Sequence, residues 1–330
     1  MSLRILRRNI PFAATAFVCL LLYAVAGWLF RDTGFVSVRV LINFFSDNAV
    51  LGIAAIGMTF VILSGGIDLS VGGMVGLVSI VLALLIEKYS IHPVASIPLV
   101  LALGAGFGAA MGGIIQYYSL PPFLVTLAGM FLARGLAYIL KLESVPINHF
   151  VDPLVSALRV PLGPRLEIPA TALIFVAAFV IALVIAHFTR FGRHVYAIGG
   201  NEPSAVLMGL PVPQTKVGVY AASGFCSALA GVVYTFYTFS GNANAGSGLE
   251  LDAIAAVVIG GTLLSGGVGY LAGTLTGVLI FGIIQTAIIF QGRLSSWWTR
   301  IVIGLLLLAF ILLQKFLQAK KFRPLKARST

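Results

Sequence analysis

The apolar residues of this chain are gathered into blocks of about twenty, and a polypeptide built that way suits lipid better than water. A helix crosses a hydrocarbon layer of about 30 Å with about 20 apolar residues. Ten stretches are candidate spans: Pro11–Phe30, Ala49–Leu63, Val71–Ile86, Ile97–Ile115, Phe123–Leu140, Ile168–Ala186, Val217–Phe239, Ala253–Leu264, Val268–Phe290 and Trp297–Phe316. Ala49–Leu63 and Ala253–Leu264 are the short ones. Only 9% of the 330 residues are charged, against roughly a quarter in a soluble domain. Too few charges remain to coat a surface in water, which excludes a cytosolic enzyme, a disordered chain and a secreted disulfide scaffold. Cys19 and Cys226 both lie inside apolar runs and form no metal-ligand pattern.

An even number of spans puts both termini on one side. With the N-terminus inside, the inner segments carry Arg4, Arg7, Arg8, Arg190, Arg193, Lys216, Lys315, Lys320, Lys321, Arg323, Lys326 and Arg328 against one acid, Glu202. The outer segments balance eight basic residues with eight acidic ones. That asymmetry places the termini in the cytoplasm and explains the net charge of +11 as membrane anchoring, without nucleic acid. The first block resembles a signal peptide at Ala24-Val25-Ala26, but it runs on through Trp28, Leu29 and Phe30 and reads as an uncleaved span. The expected architecture is an all-α polytopic membrane protein. A cytoplasmic segment 1–10 precedes a membrane domain 11–317, which contains an inner loop at about 189–216, and a basic tail 318–330 follows.

Many of the 37 glycines fall inside spans. Gly104, Gly106, Gly108, Gly112 and Gly113 read as close helix packing. Gly65-Gly66-Ile67-Asp68-Leu69-Ser70-Val71-Gly72 and Gly260-Gly261-Thr262-Leu263-Leu264-Ser265-Gly266-Gly267 share the pattern G-G-x-x-L-S-x-G at an offset of 195 residues. Both lie beside a short span. They mark either broken helices lining a transport path or a coincidence in a glycine-rich chain. Six spans separate them, so the copies would share one orientation and do not form a simple inverted repeat. Asp68 stands between two apolar spans, where a carboxylate is a functional candidate; together with Ser70 it also suits the capping of a helix N-terminus. Arg134 lies within a span and either lines a path or extends outwards along its stem. Asn43, Asn48, Gln116, Thr126 and Gln285 offer groups for hydroxyls, or serve as packing and capping residues.

No lysine follows a glycine, so a phosphate loop is absent, and there is no H-E-x-x-H and no pair of intramembrane acids. Catalysis and self-driven pumping both lack their chemistry. The inner loop carries Gly200-Asn201-Glu202-Pro203-Ser204-Ala205-Val206-Leu207-Met208-Gly209. Asn201 is an N-cap, Pro203 suits the first turn and Gly209 can end the helix. Ala205, Val206, Leu207 and Met208 would be exposed on this very short helix, either for docking into a partner or for lying on the bilayer.

Three segments, G-R-H-V-Y-A-I-G-G-N-E-P-S-A-V-L-M-G, G-M-T-F-V-I-L-S-G-G-I-D-L-S-V-G and V-V-I-G-G-T-L-L-S-G-G-V-G, resemble the membrane subunits of bacterial ribose/xylose/galactose-type ABC importers. The likeness runs from about Val38 to Trp298. P-P-F-L-V-T-L-A-G-M-F-L-A-R-G-L-A-Y-I-L, E-S-V-P-I-N-H and L-S-S-W-W-T look most like a permease subunit of the galactofuranose importer. The resemblance implies the ABC importer permease fold, a cytoplasmic ATPase with two nucleotide sites that binds ATP and Mg, a second permease subunit making a heterodimer, and a periplasmic sugar-binding protein. It also matches Gly200–Gly209 to the helix that couples permease to ATPase. The alternative is a proton- or sodium-coupled secondary transporter acting without an ATPase. Arg31, Arg159 and Arg165 either meet the binding protein or are solvated loop charges.

Overall fold

In the computed structural model the described residues are 3–148, 159–163, 166–292 and 297–319, and most of them lie in α-helices. His149, Asp152, Arg165, Arg293, residues 294–296 and the tail from Lys320 lie outside them. The chain runs through α1 (Leu3–Leu29), a 3-10 turn (Arg31–Thr33), α2 (Val38–Asp47), α3 (Ala49–Leu63), α4 (Val71–Glu87), α5 (Pro93–Tyr117) and α6 (Pro122–Leu140). It continues with α7 (Ala170–Phe188), α8 (Arg190–Gly200), α9 (Glu202–Leu207), α10 (Val212–Thr238), α11 (Leu249–Ile259), α12 (Leu271–Gln291) and α13 (Trp297–Ala319). Two small antiparallel ladders join loops: β1 (Val145–Pro146) with β4 (Ser240–Gly241), and β2 (Val160–Gly163) with β3 (Leu166–Ile168).

Among the described residues six helices, α4, α5, α6, α7, α10 and α12, are long and apolar enough to cross a membrane. The span expected at Ala49–Leu63 is preceded by α2, and the two helices, bent by 54° to one another, are together long and apolar enough to cross a membrane. Asn48 sits at that bend and donates from Nδ2 to the Phe44 carbonyl at 3.0 Å. The span expected at Ala253–Leu264 divides into α11, of 11 residues, and a glycine turn. Eleven helical residues rise about 16 Å, half of the hydrocarbon thickness. The ends of the chain add the shorter apolar helices Ala13–Leu29 and Trp297–Leu312.

α3 is apolar all round, and 13 of its 15 residues are buried, so it lies at the centre of the bundle. α10 packs across it and against α4 and α5. The α5 face turned to α10 is a stripe at every fourth residue: Ser96, Val100, Gly104, Gly108 and Gly112. A Cβ at Gly104 would strike the backbone of Gly224, and one at Gly108 the backbone of Tyr220. The helices therefore touch backbone to backbone, the form of packing that holds helices together when lipid removes the hydrophobic drive. Gly106 and Gly113 lie off this stripe and meet nothing closer than 4.0 Å. Hydroxyl pairs add further ties, Thr59 with Thr274 at 2.8 Å and Ser46 with Thr171 at 2.8 Å. On the outside of α5, Val94, Leu99, Leu103 and Ile114 are exposed and offer lipid an apolar surface.

Candidate functional site

α3 and α11 end in the same way. Gly65 has φ +85° and Gly261 has φ +92°. After α3, the Gly65 N–H donates to the Ile62 carbonyl at 2.9 Å and the Gly66 N–H to that of Val61 at 3.0 Å. After α11, the Gly261 N–H donates to the Val258 carbonyl at 2.9 Å and the Thr262 N–H to that of Val257 at 3.2 Å. Each is a Schellman cap, in which a left-handed glycine lets the turn pick up carbonyls that the helix end leaves unpaired. The equivalent glycines are therefore 196 residues apart, one more than the offset of the matching letters.

The two breaks meet in space. The Gly267 N–H donates to the Leu63 carbonyl at 2.9 Å, and a Cβ on Gly266 would lie 2.8 Å from the Gly65 nitrogen. The end of α8 closes the node: Gly199 leaves no room for a Cβ against the Leu63 carbonyl, and Gly267 none against Gly200. Glycines from three separate segments thus form one backbone contact. From it the chain leaves directly into α9, with Asn201 as the only residue between α8 and α9.

The Asn201 side chain accepts from the Ser204 N–H at 2.8 Å, making the expected N-cap, and Gly209 at φ +72° follows the helix. Pro203 falls in the first turn, and Glu202 pairs with Lys216 of α10 at 2.6 Å. Ala205 departs from expectation. It is fully buried against Ile198, Leu210 and Val212, so the helix is pinned by one methyl group. Val206, Leu207 and Met208 remain exposed, Leu207 at 89%. The result is an apolar knob with a fixed base.

On the other side of the node, Asp68 is wholly buried. Its Oδ1 accepts from the Ser70 N–H at 2.9 Å and the Ser70 hydroxyl at 2.6 Å, and its Oδ2 from the Ser223 hydroxyl of α10 at 2.7 Å. The carboxylate both turns the chain into α4 and ties the break to α10. Thr126 of α6 donates to the Ile67 carbonyl at 3.3 Å and to its own Pro122 carbonyl at 2.9 Å. The Tyr220 hydroxyl lies over Gly66, buried and without a hydrogen-bond partner among the described residues. Sequence reasoning missed Tyr220 and Ser223, whose only signal is that they are polar residues in a stretch of small ones.

The other candidate residues lie elsewhere. Arg134 donates from Nη1 to the Ala243 and Ala245 carbonyls at 2.6 and 2.7 Å, so it holds the loop between α10 and α11. Asn43 opens on a cavity of about 310 Å3 with Arg39, Leu166 and Glu167. Gln116 is half-buried at the end of α5, and Gln285 is exposed on α12. These do not join the Asp68 group. Of the outer charges, Arg31 faces Asp32 at 3.7 Å and Arg159 faces Glu167 at 3.9 Å, all four exposed. Among the described residues no cluster of His, Cys, Asp or Glu is arranged to hold a metal ion.

A bundle of apolar helices, six of them long enough to cross a membrane among the described residues, defines a polytopic membrane protein. The chain belongs to the family described as branched-chain amino acid transport system / permease component, whose model matches residues 40–311. It is 51% identical to the inner membrane ABC transporter permease protein YjfF of Escherichia coli, over 94% of this chain and 93% of that protein. It is 42% identical to the ribose import permease protein RbsC of Bacillus subtilis, over 83% of this chain and 84% of that one. Identity to the fructose import permease protein FruG of Bifidobacterium longum is 37%, over 95% and 93%. No solved structure matches the chain. It is a multi-pass inner-membrane ABC permease and carries no catalytic activity of its own.

Proposed function

We propose that this chain is the permease subunit of an ATP-driven importer of a neutral monosaccharide, and that the sugar is galactofuranose. The sugar class draws on the relatives printed as ribose and fructose import permeases. Galactofuranose itself rests on the resemblance of Pro121–Leu140, Glu143–His149 and Leu294–Thr299. Kinship with ABC permeases leaves the ion-coupled alternative without support.

The observation that carries the mechanism is the exposed Val206-Leu207-Met208 knob standing on the glycine node. In this reading Gly200–Gly209 docks into a cytoplasmic ATPase that binds ATP and Mg at two sites. A short apolar helix seats in a partner's groove by burying such side chains. Closure of the ATPase displaces the knob. Because Gly199 and Gly267 lock it to both helix breaks, the displacement reaches α3, α4, α11 and α12 together. The sugar, delivered by a periplasmic binding protein, passes between this chain and a second, different permease subunit. The membrane domain is 11–317, its coupling loop 189–216, and residues 1–10 and 318–330 are cytoplasmic. Asn43, Asn48, Gln116 and Gln285 are proposed path residues, and Asp68, Ser70, Thr126 and Arg134 are proposed to shape the path through the backbone and helices they hold.

Leu207→Asp tests this. Its side chain touches little of the chain, so the permease should reach the membrane in normal amount while ATPase co-purification and ATP-driven galactofuranose uptake both fall about tenfold or more. Normal co-purification and uptake in this variant would overturn the coupling assignment. Wild-type uptake that stops on ATP depletion but survives collapse of the proton gradient supports the ABC mechanism, and the reverse pattern removes it. Competition by ribose or fructose, in place of galactofuranose, would replace the sugar but not the class.

A further inference from the structure

The loop between α10 and α11 is not a surface turn. Gly241 packs against Ser79 and Ala83 of α4, and the Asn242 N–H donates to the Ser79 hydroxyl at 3.1 Å. The Ala243 and Ala245 carbonyls lie over Gly76, and that of Gly246 over Gly72, where neither glycine leaves space for a Cβ. From Ala83 to Gly72 is a descent of about 16 Å at 1.5 Å per helical residue. The loop thus enters the bundle and runs beside most of α4, a helix long and apolar enough to cross the membrane. Irregular backbone at membrane depth is tolerated where protein buries it or where it lines water.

The first condition is met on one side of the loop, and the other side is open. Ala243 and Ala245 are buried, whereas Asn242 is half-buried and Asn244 and Ser247 are exposed. The buried side is fixed by Arg134, a charge held within an apolar helix and spent on two backbone carbonyls. On the exposed side, Asn244 Oδ1 accepts from the Ser247 hydroxyl at 2.6 Å and from the Tyr138 hydroxyl at 3.3 Å. The Asn242 Oδ1 accepts from the Asn244 N–H at 2.8 Å. This face therefore presents side-chain amides, hydroxyls and an aromatic ring. Exposed to hydrocarbon, such groups would be costly; facing water, they form a neutral surface suited to a polyhydroxylated ligand.

We propose that Gly241–Gly248 is a sugar-contacting wall of the path. Asn242, Asn244 and Ser247 meet sugar hydroxyls, and Arg134 is the positioning residue that fixes their backbone. The proposal rests on the sugar-import reading above. It gives Arg134 a task that neither contact with the sugar nor extension to the interface would give it.

The test uses the complete transporter in proteoliposomes. Asn244→Cys and Ser247→Cys, compared with the parent carrying only Cys19 and Cys226, are treated with a charged, water-soluble thiol reagent. The expected result is labelling at both positions, slowed about threefold or more during sugar turnover. Asn244→Leu should lower sugar moved per ATP hydrolysed by about threefold to tenfold, the range of one or two lost hydrogen bonds. Arg134→Met should lower it similarly at equal protein amount, and Arg134→Lys should restore part of it. No labelling, which is the result for a face against lipid or the second permease, overturns the proposal, as does labelling indifferent to sugar. A wild-type complex that moves no sugar at all removes the functional reading first, whatever the variants do.

Discussion

The two helix breaks share eight-residue motifs and one capping geometry, yet they handle polarity in opposite ways. After Gly65 the chain runs extended into α4, and Asp68 and Ser70 turn inwards, both buried. After Gly261 it folds on itself, the Leu263 N–H donating to the Val268 carbonyl at 2.9 Å, and Ser265 is exposed. Asp68 corresponds in the capping register to Leu264, which is 40% exposed. The first break is a polar joint nailed to α10. The second is a turn whose own side chains take no part: it is held by backbone bonds and by hydroxyls from elsewhere, Thr15 donating to the Ile259 carbonyl at 2.7 Å and Tyr196 to that of Gly269 at 3.0 Å. The difference teaches that a shared helix stop does not imply a shared role, because the residues after the stop decide what the break is fastened to.

The largest effect should separate the two breaks. Asp68→Ala leaves the Ser70 N–H, the Ser70 hydroxyl and the Ser223 hydroxyl without an acceptor, at a cost of about 3 kcal/mol or more. Leu264→Ala should cost far less. Thermal unfolding of the detergent-purified chain measures both, and equal losses would erase the contrast. Next come the cap glycines. Gly65→Ala and Gly261→Ala each force a side chain into the left-handed region, and should cost about 1 kcal/mol apiece. Gly260→Ala should exceed them, since its Cβ would meet the backbone of Gly273, which cannot turn aside. An order in which Gly260→Ala is the mildest would show that the second break is looser than its contacts indicate. The smallest effect is expected at Tyr220→Phe. It removes a buried hydroxyl that has no hydrogen-bond partner among the described residues, so stability should hold or rise by up to about 1 kcal/mol. The same change should rescue part of the loss in Gly66→Ala, whose Cβ would strike that hydroxyl.

The legible part of the fold was the part that the bilayer dictates. Apolar length marked α4, α5, α6, α7, α10 and α12 because each must satisfy its own backbone while crossing lipid. The Asn201 cap and the short α9 were legible for a related reason: capping acts between neighbours three residues apart. Reading failed where the determining contact is remote. Nothing near Ala49 shows that α2 adds to its length across a bend, and nothing near Ala205 shows that Ile198, Leu210 and Val212 cover it.

By itself the sequence determined a polytopic helical membrane protein, its two glycine breaks and its candidate knob, since hydrophobic length, glycine and capping chemistry act within a few residues. Only the tertiary structure decided that Asp68 bonds Ser223, 155 positions away, that Arg134 holds a loop 109 and 111 positions away, and that three glycine segments form one node. Those pairings follow from which helices pack together. In lipid, packing depends on the matching of small surfaces brought from distant parts of the chain, and no local pattern encodes that match.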